Sequence, residues 1–310
     1  MSARKGRIYI QEVAPRDGLQ NEAAFVETVD KIALINALSE CGFTKIESTS
    51  FTSPRAIPAL RDADAVMHEI KRKPGVVYSA LVPNLRGVER ALAANVDEIN
   101  FVLSVSETHN RSNLRMSREQ SLSELEAIAS VLKGSEVSLN VSLSTAFGCP
   151  MEGDIDASEV DRLVDQVAAL DANGVTLCDT TGMAYPVQVA NIGAEVLRRY
   201  PELTTTMHFH DTRGMALANV LAALDVGIVH FDSSLGGLGG CPYAPGASGN
   251  ACTEDLVHML ELMGYDTGID LEKTVDLSRT LEPLIGRELP SYLVKAGPRW
   301  KLHPVPDNQY

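Results

Sequence analysis

Eight short runs rich in Val, Ile, Leu and Thr alternate along this chain with eight longer amphipathic stretches, with no break in composition between them. Strands separated by helix-length crossovers pair in parallel. Eight such units predict an α/β fold of the TIM (β/α)8 barrel type, here with a C-terminal helical extension. The alternative is a doubly wound open sheet, which usually carries a G-x-G-x-x-G loop after its first strand. This chain has Ala14-Pro15-Arg16-Asp17-Gly18 at that place.

The strands are read at 8–13, 45–49, 76–81, 98–103, 136–143, 174–178, 205–210 and 228–233. Each is rich in Val, Ile, Leu or Thr and short enough for a buried parallel strand. The helices are read at 30–40, 61–71, 85–94, 118–132, 157–171, 186–199, 215–226 and 253–263. Thr28-Val29-Asp30-Lys31 and Ser117-Arg118-Glu119-Gln120 have the character of helix starts, and Gly42, Gly174, Gly227 and Gly264 stand where helices end. The barrel is assigned residues 1–268. Residues 269–310 supply one more helix (271–284) and a peripheral tail with Pro298, Pro304 and Pro306, packed on the barrel or at an oligomer interface.

With 27 basic and 41 acidic residues the net charge is −14, which argues against nucleic acid or an anionic membrane surface as partner. A phosphorylated small ligand stays open, since a few local arginines suffice to hold one. The apolar stretches are strand-length, far short of a bilayer span, and the basic N-terminus runs into a strand without a secretory apolar segment. The five cysteines are odd in number and form no C-x-x-C pair, which fits a reducing, cytoplasmic setting.

In barrels of this kind the active site forms at the C-terminal ends of the strands. Arg16 and Asp17 follow the first strand, Glu47 and Thr49 lie in the second, and Asp179 and Thr180 follow the sixth. His208 and His210 end the seventh, and Asn250 closes the long loop after the eighth. Residues two apart in a strand share a face, so the two imidazoles form a natural metal pair. Asp17 and Asn250 add oxygen ligands, and two nitrogens with two oxygens suit Mg2+ or Mn2+ better than Zn2+ or Fe2+. Glu47 reads as the carboxylate that supports Arg16. The run from Ser234 to Tyr243 carries Cys241 on a loop with Gly236, Gly237, Gly239 and Gly240, predicting a mobile loop that closes a thiol over a ligand. Cys149 stands at the functional end, either lining the pocket or packing. Cys41 and Cys178 read as core, and His109, His230, His258 and His303 as structural or surface residues.

At these residues the chain resembles the 3-hydroxy-3-methylglutaryl-CoA lyase family of metal-dependent TIM-barrel lyases. The motifs are Pro15-Arg16-Asp17-Gly18-Leu19-Gln20-Asn21-Glu22, Ile46-Glu47-Ser48-Thr49-Ser50-Phe51, Gly148-Cys149-Pro150, Asp179-Thr180, His208-Phe209-His210-Asp211, the glycine loop and Ala247-Ser248-Gly249-Asn250. The resemblance implies Asp17, His208, His210 and Asn250 as metal ligands, Arg16 on the thioester carbonyl and Cys241 as the loop thiol used in catalysis. It implies Glu47 as support, and Arg16, Thr180, Asn113, Thr145 and Cys149 as substrate-binding. The implied reaction is retro-Claisen cleavage of a 3-hydroxyacyl-CoA to acetyl-CoA and a 3-keto acid, by a homodimer or higher homo-oligomer. The family's role in leucine degradation and ketone body formation comes with it.

Departures bear on the acyl group. Ala23 replaces a lysine, Thr145 a cysteine, Ser112-Asn113-Leu114-Arg115-Met116-Ser117 a K-N-I-N-C-S-like segment, and H-F-H an H-C-H. A lyase of the same chemistry on a different branched 3-hydroxyacyl-CoA therefore stays open, as does a Claisen-type synthase. A metal-dependent hydrolase or a non-catalytic barrel stands further off.

Overall fold

The computed structural model describes residues 5–240, 249–302 and 304. Its strands are β1 (Tyr9–Glu12), β2 (Lys45–Ser50), β3 (Val77–Leu81), β4 (Glu98–Ser104), β5 (Ser138–Ser144), β6 (Gly174–Asp179), β7 (Thr204–Phe209) and β8 (His230–Ser233). All pair in parallel in sequence order, and β8 returns to β1, with Ile10 opposite Phe231, to close a barrel. The helices are α1 (Thr28–Glu40), α2 (Ala63–Glu69), α3 (Leu85–Ala93), α4 (Glu107–Leu114), α5 (Arg118–Leu132), α6 (Ala157–Ala169), α7 (Pro186–Arg199), α8 (Ala216–Asp225), α9 (Thr253–Leu262), α10 (Leu271–Ile285) and α11 (Tyr292–Ala296).

The two faces of the sheet differ in chemistry. Residues pointing outward, among them Ile46, Ile99, Phe101, Val141, Leu177, Met207, Phe209 and Phe231, pack under the helices in one continuous apolar core. The alternate residues point into the barrel and are polar: Glu47, Asn100, Asn140, Ser142, Thr176, His208 and Asp232 are all buried.

Local chemistry sets the helix starts. Ser117 and Gln120 form a reciprocal capping box at α5, each side chain accepting the other's backbone N–H. Two expectations are revised. A separate helix, α4, precedes α5; it is polar and lacks apolar periodicity, so its limits come from Ser106 at its N-cap and left-handed Arg115 (φ 57°) at its C-cap. The C-terminal helix packs on the barrel, and the start of the tail, expected to be peripheral, is buried there too. Leu271, Val275, Leu281, Ile285, Leu289 and Leu293 join the main core, and Ser291 is buried and caps α11. Among the described residues no helix is long and apolar enough to cross a membrane.

Candidate active site

The chain leaves β1 through a π turn (Ala14–Gly18) in which the single carbonyl of Val13 accepts the amides of Arg16, Asp17 and Gly18. This turn aims two adjacent side chains at the barrel mouth. Arg16 Nε donates to Glu47 Oε2 at 2.6 Å and its Nη1 to Asp17 Oδ1 at 2.7 Å. Asn100 Nδ2 donates to the other Glu47 oxygen at 2.8 Å. Asn100 Oδ1 in turn accepts from Ser142 Oγ (2.8 Å) and Asn140 Nδ2 (3.0 Å), and Asn140 reaches Thr176 Oγ1 at 2.9 Å. A chain of hydrogen bonds thus crosses β2, β4, β5 and β6 and ends on the guanidinium. Burial opposes the charge on Arg16, but Glu47 and Asp17 outweigh it and raise its pKa. Burial likewise lifts the Glu47 carboxyl, against the pull of Arg16 and Asn100. For Asp17 burial is also the largest influence, yet Arg16 and the two histidines overcome it and hold the carboxyl well below its usual range.

His208 and His210 lie on the inner face of β7's carboxyl end, their ring centroids 5.1 Å apart. His208 Nδ1 pairs with Asp232 Oδ2 on β8 at 3.1 Å, which leaves its Nε2 free to bind a cation. Burial lowers the His208 pKa, but the Asp232 bond and charge reverse this and leave it raised. His210 Nε2 is 3.7 Å from Asp17 Oδ2; burial, with the charge of His208, keeps its pKa low. Asn250, bridged to His210 by backbone pairing, donates its amide to Asp17 Oδ2 (2.7 Å) and the Leu238 carbonyl (2.9 Å).

This set fits a divalent cation. Ligand atoms of Asp17, His208 and His210 all lie within 4.8 Å of one another. Asn250 Oδ1 and His210 Nδ1 are buried without a hydrogen-bond partner. A buried, unused lone pair is costly unless something else occupies it. Two imidazoles, a carboxylate and an amide oxygen suit a borderline-hard ion.

Cys241 lies outside the described residues, as do Ala247 and Ser248. The glycine run before it is described as far as Gly240, and the expected mobile loop around Cys241 lies outside the described residues. Gly236 and Gly239 have φ of 67° and 94°, where a side chain is strained. A Cβ on Gly239 would sit 2.5 Å from Asn250 Nδ2 and 3.0 Å from the Asp17 carbonyl, and one on Gly236 would collide with Leu289. Gly236 and Gly239 are therefore closely packed, and Leu235–Gly237 form a buried 3-10 turn.

Other expected residues divide. Thr180 Oγ1 accepts the Thr145 amide at 2.9 Å, joining β6 to β5 at the mouth. Thr145 (φ 56°) and Cys149 are fully buried, the latter with Sγ 3.1 Å from Ser106 Oγ, so in this structure they shape the end of β5 and present nothing to solvent. Asn113 is exposed on α4, apart from the buried cluster. Asp179 accepts the amides of Met183 and Ala184, and burial pushes its pKa up to about 6. His109 is buried against Ser104, His230 stacks on Tyr9 and His258 accepts the Arg299 amide, while His303 is outside the described residues. Cys178 is buried but belongs to the inner face, level with His208.

Asn100, Asn140, Ser142 and Asp232 had no assigned role in the sequence. Their signal was present as a polar residue at every second position of strands otherwise apolar, the spacing that singled out His208 and His210.

Fold and site together define a class of TIM barrels that gather the donors for a divalent cation, beside a clamped arginine, at the carboxyl ends of the strands. The chain belongs to the HMGL-like family of carbon–carbon lyases, whose model matches residues 7–281. It is 47% identical to hydroxymethylglutaryl-CoA lyase of Bacillus subtilis, over 92% of this chain and 95% of that protein. It is 39% identical to (R)-citramalyl-CoA lyase of Chloroflexus aurantiacus, over 94% and 95%. The structure of an HMG-CoA lyase from Acinetobacter baumannii in complex with coenzyme A and 3-methylmalate superposes with a TM-score of 0.93 at 52% identity, covering 96% of this chain and 98% of that one.

Proposed function

We propose that this chain cleaves 3-hydroxy-3-methylglutaryl-CoA, or a close 3-hydroxyacyl-CoA, to acetyl-CoA and a 3-keto acid, with Mg2+ or Mn2+ held by Asp17, His208, His210 and Asn250. The observation that carries this reading is the meeting, at one barrel end, of that donor set with a guanidinium clamped between two carboxylates. When bound, the cation supplies Lewis acidity that orients the substrate hydroxyl and lowers its pKa.

The chain's own residues account for the rest. In cleavage of the C2–C3 bond the C3 hydroxyl gives its proton to a base and becomes a carbonyl, and the C2–C3 electron pair passes to the thioester as an enolate. Arg16 spends Nε and Nη1 on Glu47 and Asp17, which leaves the Nη2 end to meet the developing enolate oxygen. Because Glu47 and Asn100 hold the guanidinium in place beforehand, little reorganisation is needed as the charge appears. The enolate carbon then needs a proton, and the thiol of Cys241 is the donor suggested by the family motif.

A second reading concerns the acyl group. The Acinetobacter protein carries 3-methylmalate and the Chloroflexus relative is a citramalyl-CoA lyase. Those names favour a shorter substrate with its carboxylate on the hydroxyl-bearing carbon. A single experiment addresses both readings: incubate the protein with Mn2+ and a panel of 3-hydroxyacyl-CoAs of both kinds, and quantify acetyl-CoA and keto acid. Release from the glutaryl substrate, abolished by chelator, is the expected result. Release from the shorter ones alone selects the second reading, and no release from any overturns both.

A further inference from the structure

We propose that Glu12 is a positioning residue that holds the three segments of the active site in register. The inference rests on the reading that Arg16, Asp17 and Asn250 work together. Glu12 ends β1 on the outer face, two residues after Ile10, and is completely buried. Its Oε1 accepts the amides of Ala14 (2.8 Å) and Leu235 (2.9 Å), and its Oε2 accepts the hydroxyl of Thr253 (2.8 Å). The first donor opens the π turn that carries Arg16 and Asp17. The second opens the 3-10 turn leading toward Cys241. The third begins α9, three residues after Asn250.

These segments are far apart in sequence, and one carboxylate ties them together. A buried carboxyl group is costly unless its oxygens are hydrogen-bonded, and here three partners bond them. Two of those donors are the first amides of helical turns, which have no partner within the turn and are costly to leave unpaired when buried. The side chain points away from the barrel interior, so it acts on the site through these backbones and not on the substrate. Glu254 does the same for the next amide. It accepts Gly236 N–H at 2.9 Å and the thiol of Cys252 at 3.0 Å, and is bonded to Ser278 of α10. The C-terminal extension is thereby tied to the same turn.

The test compares Glu12→Gln, Glu12→Asp and Thr253→Val with wild type, reading Mn2+ affinity by calorimetry without substrate, then kcat and KM. In Glu12→Gln the amide oxygen still accepts both N–H groups, and its NH2 donates to Thr253, whose own proton turns to Ser233 Oγ, 2.8 Å away. Mn2+ affinity within about threefold of wild type is expected, since all three links survive. Glu12→Asp is a methylene too short to reach all three donors. It is expected to lose about tenfold or more in Mn2+ affinity, and to lower kcat more than it raises KM, as when a partner that orients metal ligands is removed. Thr253→Val removes one link and is expected to lose about threefold. Wild-type affinity and kcat in Glu12→Asp, or wild-type affinity in Thr253→Val should Glu12→Asp not fold, overturn the proposal. So does damage in Glu12→Gln equal to that in Glu12→Asp. Asp17→Ala is the reference: if it binds Mn2+ as wild type does, the site reading fails. Loss there with none in the Glu12 and Thr253 variants overturns the positioning role alone.

Discussion

The inner and outer faces of the barrel sheet are built from the same strands, one residue apart, yet they obey different physics. Leu177 and Phe101 point outward, are fully buried and belong to the continuous apolar core. Cys178 and Asn100, their neighbours in sequence, point inward among hydrogen-bonded polar groups. Apolar burial is non-directional and tolerant of shape changes that preserve volume. The inner lattice is directional, and each of its members is needed to satisfy the next. Stability therefore resides mainly on the outer face, and the work of aiming Arg16 on the inner one. The difference teaches that the polar interior is a cost in folding which the outer core offsets.

That division can be broken by mutation. The largest expected effect is Arg16→Gln, which should lower kcat by about 10³-fold, ~4 kcal/mol of transition-state stabilisation, with a smaller change in KM. Thermal stability should fall as well, because completely buried Glu47 loses its cationic partner. Steady-state kinetics beside a melting curve checks both, and a change confined to KM would assign Arg16 to binding alone.

The outer face should give the mirror image. Leu177→Ala removes a fully buried side chain, so a loss of about 3 kcal/mol in stability is expected, from transfer and cavity together. The folded fraction should keep kcat within about threefold of wild type, since no inner-face bond is touched. Denaturant unfolding with parallel activity measurement is the check. A large kcat loss in folded protein would mean that the two faces are coupled.

The smallest effect sharpens the comparison at its exception, since Glu12 is a polar residue on the outer face. Burial raises its pKa from 4.5 to about 8, against the backbone donors Ala14 and Leu235. An acid whose pKa is raised in the folded state binds its proton more tightly there, so stability falls as pH rises through the window from 4.5 to about 8. Between pH 6 and 8 the wild type should lose up to about 2 kcal/mol that Glu12→Gln does not lose, at about 1.4 kcal/mol per pH unit. Unfolding curves of both proteins across that range measure the difference. Parallel slopes would place the Glu12 pKa near its ordinary value.

Much of this protein was legible without coordinates, and the reasons are local. Strand and helix alternation predicted the closed barrel because hydrophobic period and length are properties of short segments. The capping box at Ser117 and the histidines two apart in β7 were readable for the same reason, as was the grouping of Arg16, Asp17 and Glu47 at strand ends. The motifs also carried the family. The helix α4 was less legible, having no apolar stripe to mark it. Tertiary structure alone decided that Asn100 holds Glu47, that Asp232 orients His208, and that Gly236 and Gly239 are locked under Leu289 and against Asn250 and Asp17. It also decided that Glu12 joins residues 14, 235 and 253. Each of these depends on which strands become neighbours and on how far the barrel staggers. No short stretch of sequence encodes those relations, because they arise only when the sheet closes.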